Sequence, residues 1–141
     1  MTARDFVGQA LALNKEIRAK ESQIQMLRDQ ATHVSAVMEG DKVQTSPKPD
    51  QMGDIVARIV DLVAEYGRDV DRLLALKMEI QQAINSVNRA NYRAILTERY
   101  INFKRWEDIA SDNNYSWRAV HKIHSRALEK IKECIEVHTI M

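Results

Sequence analysis

An all-α fold is what this sequence predicts: a long antiparallel helical hairpin of coiled-coil-like character, followed by a C-terminal helix-turn-helix. Three observations carry that reading. Apolar residues recur at alternating spacings of three and four through two long stretches. Only four glycines and two prolines punctuate 141 residues, a composition that favours helix over a turn-rich β architecture. The last third then shows three shorter helical patterns separated by polar breaks.

The first long helix is marked by Phe6, Ala10, Leu13, Ile17, Ile24, Leu27 and Ala31, with one lapse at Lys20 and Glu21. Its other faces carry Lys, Glu, Gln, Arg and Asn, as a solvated surface requires. The period dissolves in "THVSAVMEGDKVQTSPKPDQMG", where Gly40, Ser46, Pro47 and Pro49 lie, so a flexible loop is expected over about 32–53. The second long helix is expected from about Asp54 to Val87. Ile55, Ile59, Leu62, Tyr66, Leu73, Leu76, Ile80, Ala83 and Val87 form its main seam, and Val56, Val63, Val70 and Ile84 widen it. A face this wide can serve more than one partner, either the C-terminal zone or a second copy of the chain. Gly67 weakens this helix by about 1 kcal/mol relative to Ala and marks a bend or a close-packing point. Self-association as a homodimer or a higher homo-oligomer is expected, because two lone helices make a thin core.

The asparagines and serine of "NSVNRAN" read as one helix ending and another being capped. "NYRAILTERYI" then supplies a short helix with Tyr92, Ile95, Leu96 and Ile101 for burial, and "WEDIAS" supplies another. "SWRAVHKIHSRALEKIKECIEV" supplies the last, with Ala119, Val120, Ile123, Ala127, Leu128, Ile131 and Ile135 on its apolar side. The chain accordingly divides into a hairpin, 1–88, for oligomerisation or partner binding, and a helix-turn-helix domain, 89–141.

Charge and composition narrow the function. The net charge is +1, yet from Arg89 onward ten Lys and Arg stand against seven Asp and Glu, an asymmetry found at nucleic-acid-facing ends. The single cysteine, Cys134, forms no internal disulfide and makes no zinc site by itself. "MTARDFVGQALALNKEIRAK" lacks the basic-then-apolar pattern of a signal peptide, and no apolar run approaches the ~18 residues of a membrane span. A cytoplasmic protein with no membrane partner is expected.

The stretch "WEDIASDNNYSWRAVHKIHSRALEKIK" meets the demands of a helix-turn-helix one by one. Ala110 is small where the second helix crosses the first. Asn114 tolerates the left-handed turn. Ile109, Tyr115, Val120 and Ile123 pin the two helices together, and Ser116 caps the second. Those assignments leave Ser116, Trp117, Arg118, His121, Lys122 and Ser125 facing outward on a reading helix, 116–130, with Arg126 at one edge. First-turn residues of such a helix reach base edges in the major groove of double-stranded DNA. Arg118 suits a guanine edge, a contact worth about 1–3 kcal/mol of discrimination. Lys104 and Arg105, before Trp106, stand where a first helix meets phosphates and adds affinity without reading sequence. A Trp at position 117, away from the assigned core, is an odd choice for a bare surface.

"RAILTERYINFKRWEDIASDNNYSWRAVHKIHSRALEKIKE" resembles region 4 of sigma-70-type factors, which reads the promoter −35 element. From about Ala31 onward the chain is also similar to a family of small uncharacterised proteins from phages, prophages and integrated elements of Gram-positive bacteria. There, segments like "DIVARIVDL" and "LLALKMEIQQAI" precede a sigma-like helix-turn-helix. The resemblance implies a phage-type, late-transcription-regulator protein in the cytoplasm of a bacterial host. It implies RNA polymerase as a further partner, and Ser116, Trp117, Arg118, His121 and Lys122 match the reading helix by position. The chain departs from the pattern at Asn113, usually apolar, and Asn114, usually Gly, which predicts a looser turn. Arg105 also replaces a Ser or Thr cap. Sigma region 2 is not recognisable, so a complete sigma factor is not expected.

No enzyme, cofactor or metal is expected. Phosphate-loop, dinucleotide and zinc-protease motifs are absent. His121 and His124 lie three apart, but no third ligand is well placed, and both make better sense as DNA contacts. Two rivals stand beside the transcriptional regulator. A small terminase-like DNA-packaging protein joins similar parts into rings of eight or more, and an adaptor would bind polymerase or a regulator through Trp117 without touching DNA.

Overall fold

The computed structural model describes residues 1–40 and 50–140, with side chains through Val37 and from Asp50 to Glu136. The fold is all-α, and the described residues contain no strand. Five helices follow in order: α1, Ala3–Gly40; α2, Asp50–Asn85; α3, Ala90–Tyr100; α4, Trp106–Asp112; and α5, Trp117–Ile140. No helix among the described residues is long and apolar enough to cross a membrane.

The expected loop over 32–53 is corrected at both ends. α1 continues to Gly40 and α2 begins at Asp50, so 32–40 and 50–53 are helical. The physical reason is that the apolar spacing persists: Leu27 and Ala31 are followed by Val34, which is buried. The middle of the expected loop, 41–49, lies outside the described residues. α1 opens with a reciprocal cap. The Thr2 amide donates to Asp5 Oδ2 at 3.2 Å and the Asp5 amide donates to Thr2 Oγ1 at 3.1 Å. Those bonds hold the Asp5 carboxyl below its ordinary value.

Compactness groups the chain differently from a boundary at 88/89. One unit comprises Met1–Asn14 with Leu73–Met141, and the other comprises Lys15–Arg72. In the first, Val7 and Ala10 of α1 and Ile80 and Ile84 of α2 share a core with Val87. Tyr92, Leu96 and Tyr100 of α3 and Ala127 and Ile131 of α5 complete it. The wide apolar face of α2 in this unit is therefore covered by the C-terminal helices. Burying whole Ile, Val and Leu side chains contributes roughly 1.5–3 kcal/mol each, so this shared core is what makes the C-terminal helices stand.

In the Lys15–Arg72 unit α1 and α2 run antiparallel. Tyr66 Oη donates to Glu21 Oε1 at 2.8 Å, and Lys20 pairs with Asp69 and lies 3.7 Å from Glu65. Lys20 stands in the gap of the α1 seam between Ile17 and Ile24, and Asp69 in the gap of the α2 seam between Tyr66 and Leu73. The two lapses in periodicity face each other. Asp69 holds the Lys20 ammonium pKa above its ordinary value, chiefly through their hydrogen bond. Gly67 does not interrupt α2, and a methyl group added there would meet nothing of this chain within 4 Å.

Candidate nucleic-acid interface

α3, α4 and α5 pack on one another around Ile95, Leu96, Ile109, Ala110 and Val120, all buried. The ends of these helices fix where the outward residues stand. α3 closes in a wide turn: the Asn102 amide bonds Thr97 O and the Lys104 amide bonds Glu98 O, each at 3.0 Å. Phe103 adopts φ 58 there. A left-handed phenylalanine costs roughly 1–2 kcal/mol. Its ring offsets this by packing at the margin of the core, with Lys77 Nζ 4.6 Å above it.

The turn between α4 and α5 is tight. Asn114 takes φ 57, the left-handed conformation expected of it. The Tyr115 amide bonds Ala110 O at 2.9 Å and the Asn114 amide bonds Ser111 O at 3.3 Å, the paired bonds of a Schellman cap. Asn113, expected to loosen this turn, pins it instead. Its amide nitrogen donates to Ile109 O at 2.7 Å and to Glu98 Oε2 at 2.9 Å, tying the turn back to α3. Ser116 caps α5 as expected, its Oγ accepting the Ala119 amide at 3.1 Å. Arg105 at the start of α4 and Arg89 at the start of α3 provide no side-chain cap. The Arg89 guanidinium instead lies over the Tyr92 ring at 5.4 Å.

With the turn fixed, Ser116, Trp117, Arg118, Lys122, Ser125 and Arg126 are exposed, and His121 is half-buried. Arg118, Lys122 and Arg126 follow one another at single-turn spacing, and none takes part in an ion pair among the described residues. Lys104 and Arg105 are placed differently. Lys104 Nζ lies 2.9 Å from Asp112 and 3.6 Å from Glu98, and Asp112 holds the ammonium pKa above its ordinary value. Arg105 lies 3.4 Å from Asp108 and 3.9 Å from Glu107. These two cations are engaged with carboxylates, and a phosphate would have to displace them.

Two features escaped the sequence reading. His124 is not on the outward face. It is 3% exposed, and its Nε2 shares a hydrogen bond of 2.6 Å with Tyr100 Oη. Burial first, then the charges of Arg4, His121 and Arg99, lowers its pKa to about 4, so the ring is neutral near pH 7. The period was legible all the same, since Val120, His124, Ala127 and Ile131 form one seam. The second feature is an aromatic ladder. Trp117 meets His121 edge-on at 4.5 Å, His121 meets Trp106 at 5.4 Å, and the Arg99 guanidinium lies over Trp106 at 4.9 Å. Trp106 also meets the buried His124 at 4.5 Å. The 117/121 spacing of one turn was the available clue. Trp117 remains 54% exposed despite this contact, held from behind and open in front.

Among the described residues, no group of three or more His, Cys, Asp or Glu gathers as a metal site. His121 points to the aromatic ladder and His124 to the core. No curated protein and no solved structure matches the chain. A family model does match, over residues 32–132, from the last turns of α1 to the middle of α5 and across the whole outward face just described. The chain therefore belongs to the protein family of unknown function designated DUF1492.

Proposed function

We propose that the protein is a phage-type, sequence-specific DNA-binding regulator of transcription that inserts the first turns of α5 into the major groove. One observation carries the reading: the exposed face of Arg118, Lys122 and Arg126, in no ion pair among the described residues and set on a pinned helix-turn-helix. Exposed cations without carboxylate partners are free to release counterions from a phosphate backbone. Arg118, in the first turn, reads a base edge, and Lys122 and Arg126 continue along the groove to bases or phosphates. Ser116 and the open N-terminus of α5 approach the backbone, and Ser125 lies on the same face. Lys104 and Arg105 contribute less, being engaged with acidic neighbours.

The likeness to sigma region 4 supports a role at promoters, by supplying −35 recognition or by recruiting RNA polymerase. In a homodimer two reading helices meet half-sites about 34 Å apart. A second reading rests on Trp117, whose exposure also suits a protein partner: an adaptor that docks on polymerase through this ring.

The deciding experiment is selection of binding sites from random DNA by the purified chain, at two salt concentrations, with Arg118→Ala alongside. A discrete motif that relaxes at one position in the variant is expected. Salt-sensitive binding without a motif, together with rings of eight or more subunits, would replace regulation by DNA packaging. No binding would leave the adaptor.

A further inference from the structure

Given α5 as a DNA-reading helix, the reading on which this rests, we propose that Trp117 selects a thymine. Its indole lies against the 5-methyl group and donates its N–H to O4, in the same half-site as the guanine taken by Arg118.

Trp117 opens α5, directly after the Ser116 cap. The first turn of that helix contains no acidic residue. Arg118 there works against the helix dipole, which favours anions at an N-terminus. A Trp that is 54% exposed leaves much apolar surface in water. Neither choice helps the free chain, and both suit an anionic surface that also offers apolar groups. The major groove is such a surface, because thymine methyl groups stand among its base edges, between two rows of phosphates.

Hydrogen-bonding capacity narrows the base. An indole has one N–H donor, no acceptor, and otherwise a hydrocarbon surface. The Trp117 N–H has no partner among the described residues. In the major groove guanine shows two acceptors, which a forked guanidinium meets better than a single N–H. Cytosine shows an amino donor, and adenine an amino donor beside one acceptor. Against either amino group Trp117 would set donor to donor. Thymine shows one acceptor and one methyl group, the complement of an indole. The neighbouring residues cannot reverse this choice, for α5 holds no Asp, Glu, Asn or Gln between Trp117 and Leu128 to accept from an amino group.

The ring is also held ready. Its centroid lies 4.5 Å from that of His121, which lies 5.4 Å from that of Trp106, and Arg99 closes the far end of the ladder. A side chain with two torsions, braced in this way, loses little freedom when it meets a base.

Duplexes carrying the motif selected from random DNA, with each thymine in turn replaced by uracil, test this. Uracil pairs as thymine does and lacks only the methyl group. At one thymine the replacement should weaken binding about fourfold, the worth of one buried methyl group. Trp117→Ala should bind that uracil duplex and its thymine parent equally, and its own selected motif should relax at that base pair while keeping the guanine. Trp117→Phe, apolar but without the N–H, should keep the uracil penalty. Arg118→Ala should relax the guanine and keep the uracil penalty, which separates the two residues. A motif in which no thymine is sensitive to uracil, or a penalty that survives Trp117→Ala, overturns the proposal and leaves sequence-specific binding standing. Absence of any selected motif overturns both, and gives Trp117 to a protein partner.

Discussion

Lowering the pH from about 7.5 to about 5 should destabilise the unit of Met1–Asn14 and Leu73–Met141 through one histidine. In the folded chain His124 is sealed beneath Trp106 and Tyr100, and its pKa is held down to about 4. In the unfolded chain the ring titrates near 6.5. Between those values the unfolded state binds the extra proton. Stability is therefore full above about pH 6.5 and is lost as the pH falls towards the folded value. The shift corresponds to about 2 kcal/mol lost at about pH 5, with the ceiling near 3 kcal/mol reached only below pH 4. Urea unfolding followed by circular dichroism at both pH values, for the native chain and for His124→Gln, measures it. Carboxylates titrate in both proteins, so the difference between the two pH dependences isolates the histidine. Were His124 on the outward face proposed to meet DNA, its protonation would leave stability nearly unchanged and would strengthen DNA binding in acid. A flat difference, or a His124 ring resonance titrating near pH 6.5, would refute the buried assignment.

Other consequences follow from the same geometry. Asn114→Val should lower stability by roughly 1–2 kcal/mol in thermal unfolding, because a β-branched residue resists the left-handed turn, while Asn114→Gly should be tolerated. Ile84→Ala should cost about 2–5 kcal/mol and reduce DNA binding with it, and the fragment 89–141 should lack stable helix, because α1 and α2 supply four of the ten buried residues in the core beneath α3 and α5. Lys122→Ala should reduce the salt dependence of DNA binding by about one phosphate contact without changing the selected motif. Trp117→Ala should cost no more than about 1.5 kcal/mol of stability, the worth of its edge-on contact with His121, so a loss of function with the fold intact belongs to binding.

The helices and the turn were legible because they rest on local rules. Alternating threes and fours locate a helix, Asn114 is among the few non-glycine residues at ease with a positive φ, and Ser116 is a sound cap. Tertiary choices were harder to see. "THVSAVMEG" looks like a loop by composition, yet Val34 keeps the phase of Leu27 and Ala31, and burial outweighs propensity there. A boundary at 88/89 follows from the break in "NSVNRAN", whereas the core gathers Val7 and Ala10 from far along the chain, which a linear reading does not reveal. His124 and Lys20 share one cause of misreading. Each occupies a seam position by phase, and each looks like an interruption because its side chain is polar. On the outward face, sequence placed Trp117, Arg118, Lys122 and Arg126 well. Only the fold discloses that Lys104 and Arg105 face Glu98, Glu107, Asp108 and Asp112.

The pairing of Lys20 with Asp69 bears on which hairpin forms, more than on how stable it is. Two heptad-like seams of Ile, Leu and Val are nearly degenerate, and sliding α2 by one repeat would leave most apolar contacts replaceable. Such a slip carries Lys20 opposite Leu62 in one direction and Leu76 in the other, stranding a cation against a leucine. The ion pair therefore works as a key that admits one alignment. Exchanging both members for leucine should leave the chain as stable or more so, since well-packed apolar pairs commonly match or exceed ion pairs in partly buried sites. The same exchange should let the helices settle in several alignments, visible as broadened or doubled resonances in this unit. A single sharp set of resonances in that variant would show that the apolar residues alone choose the register.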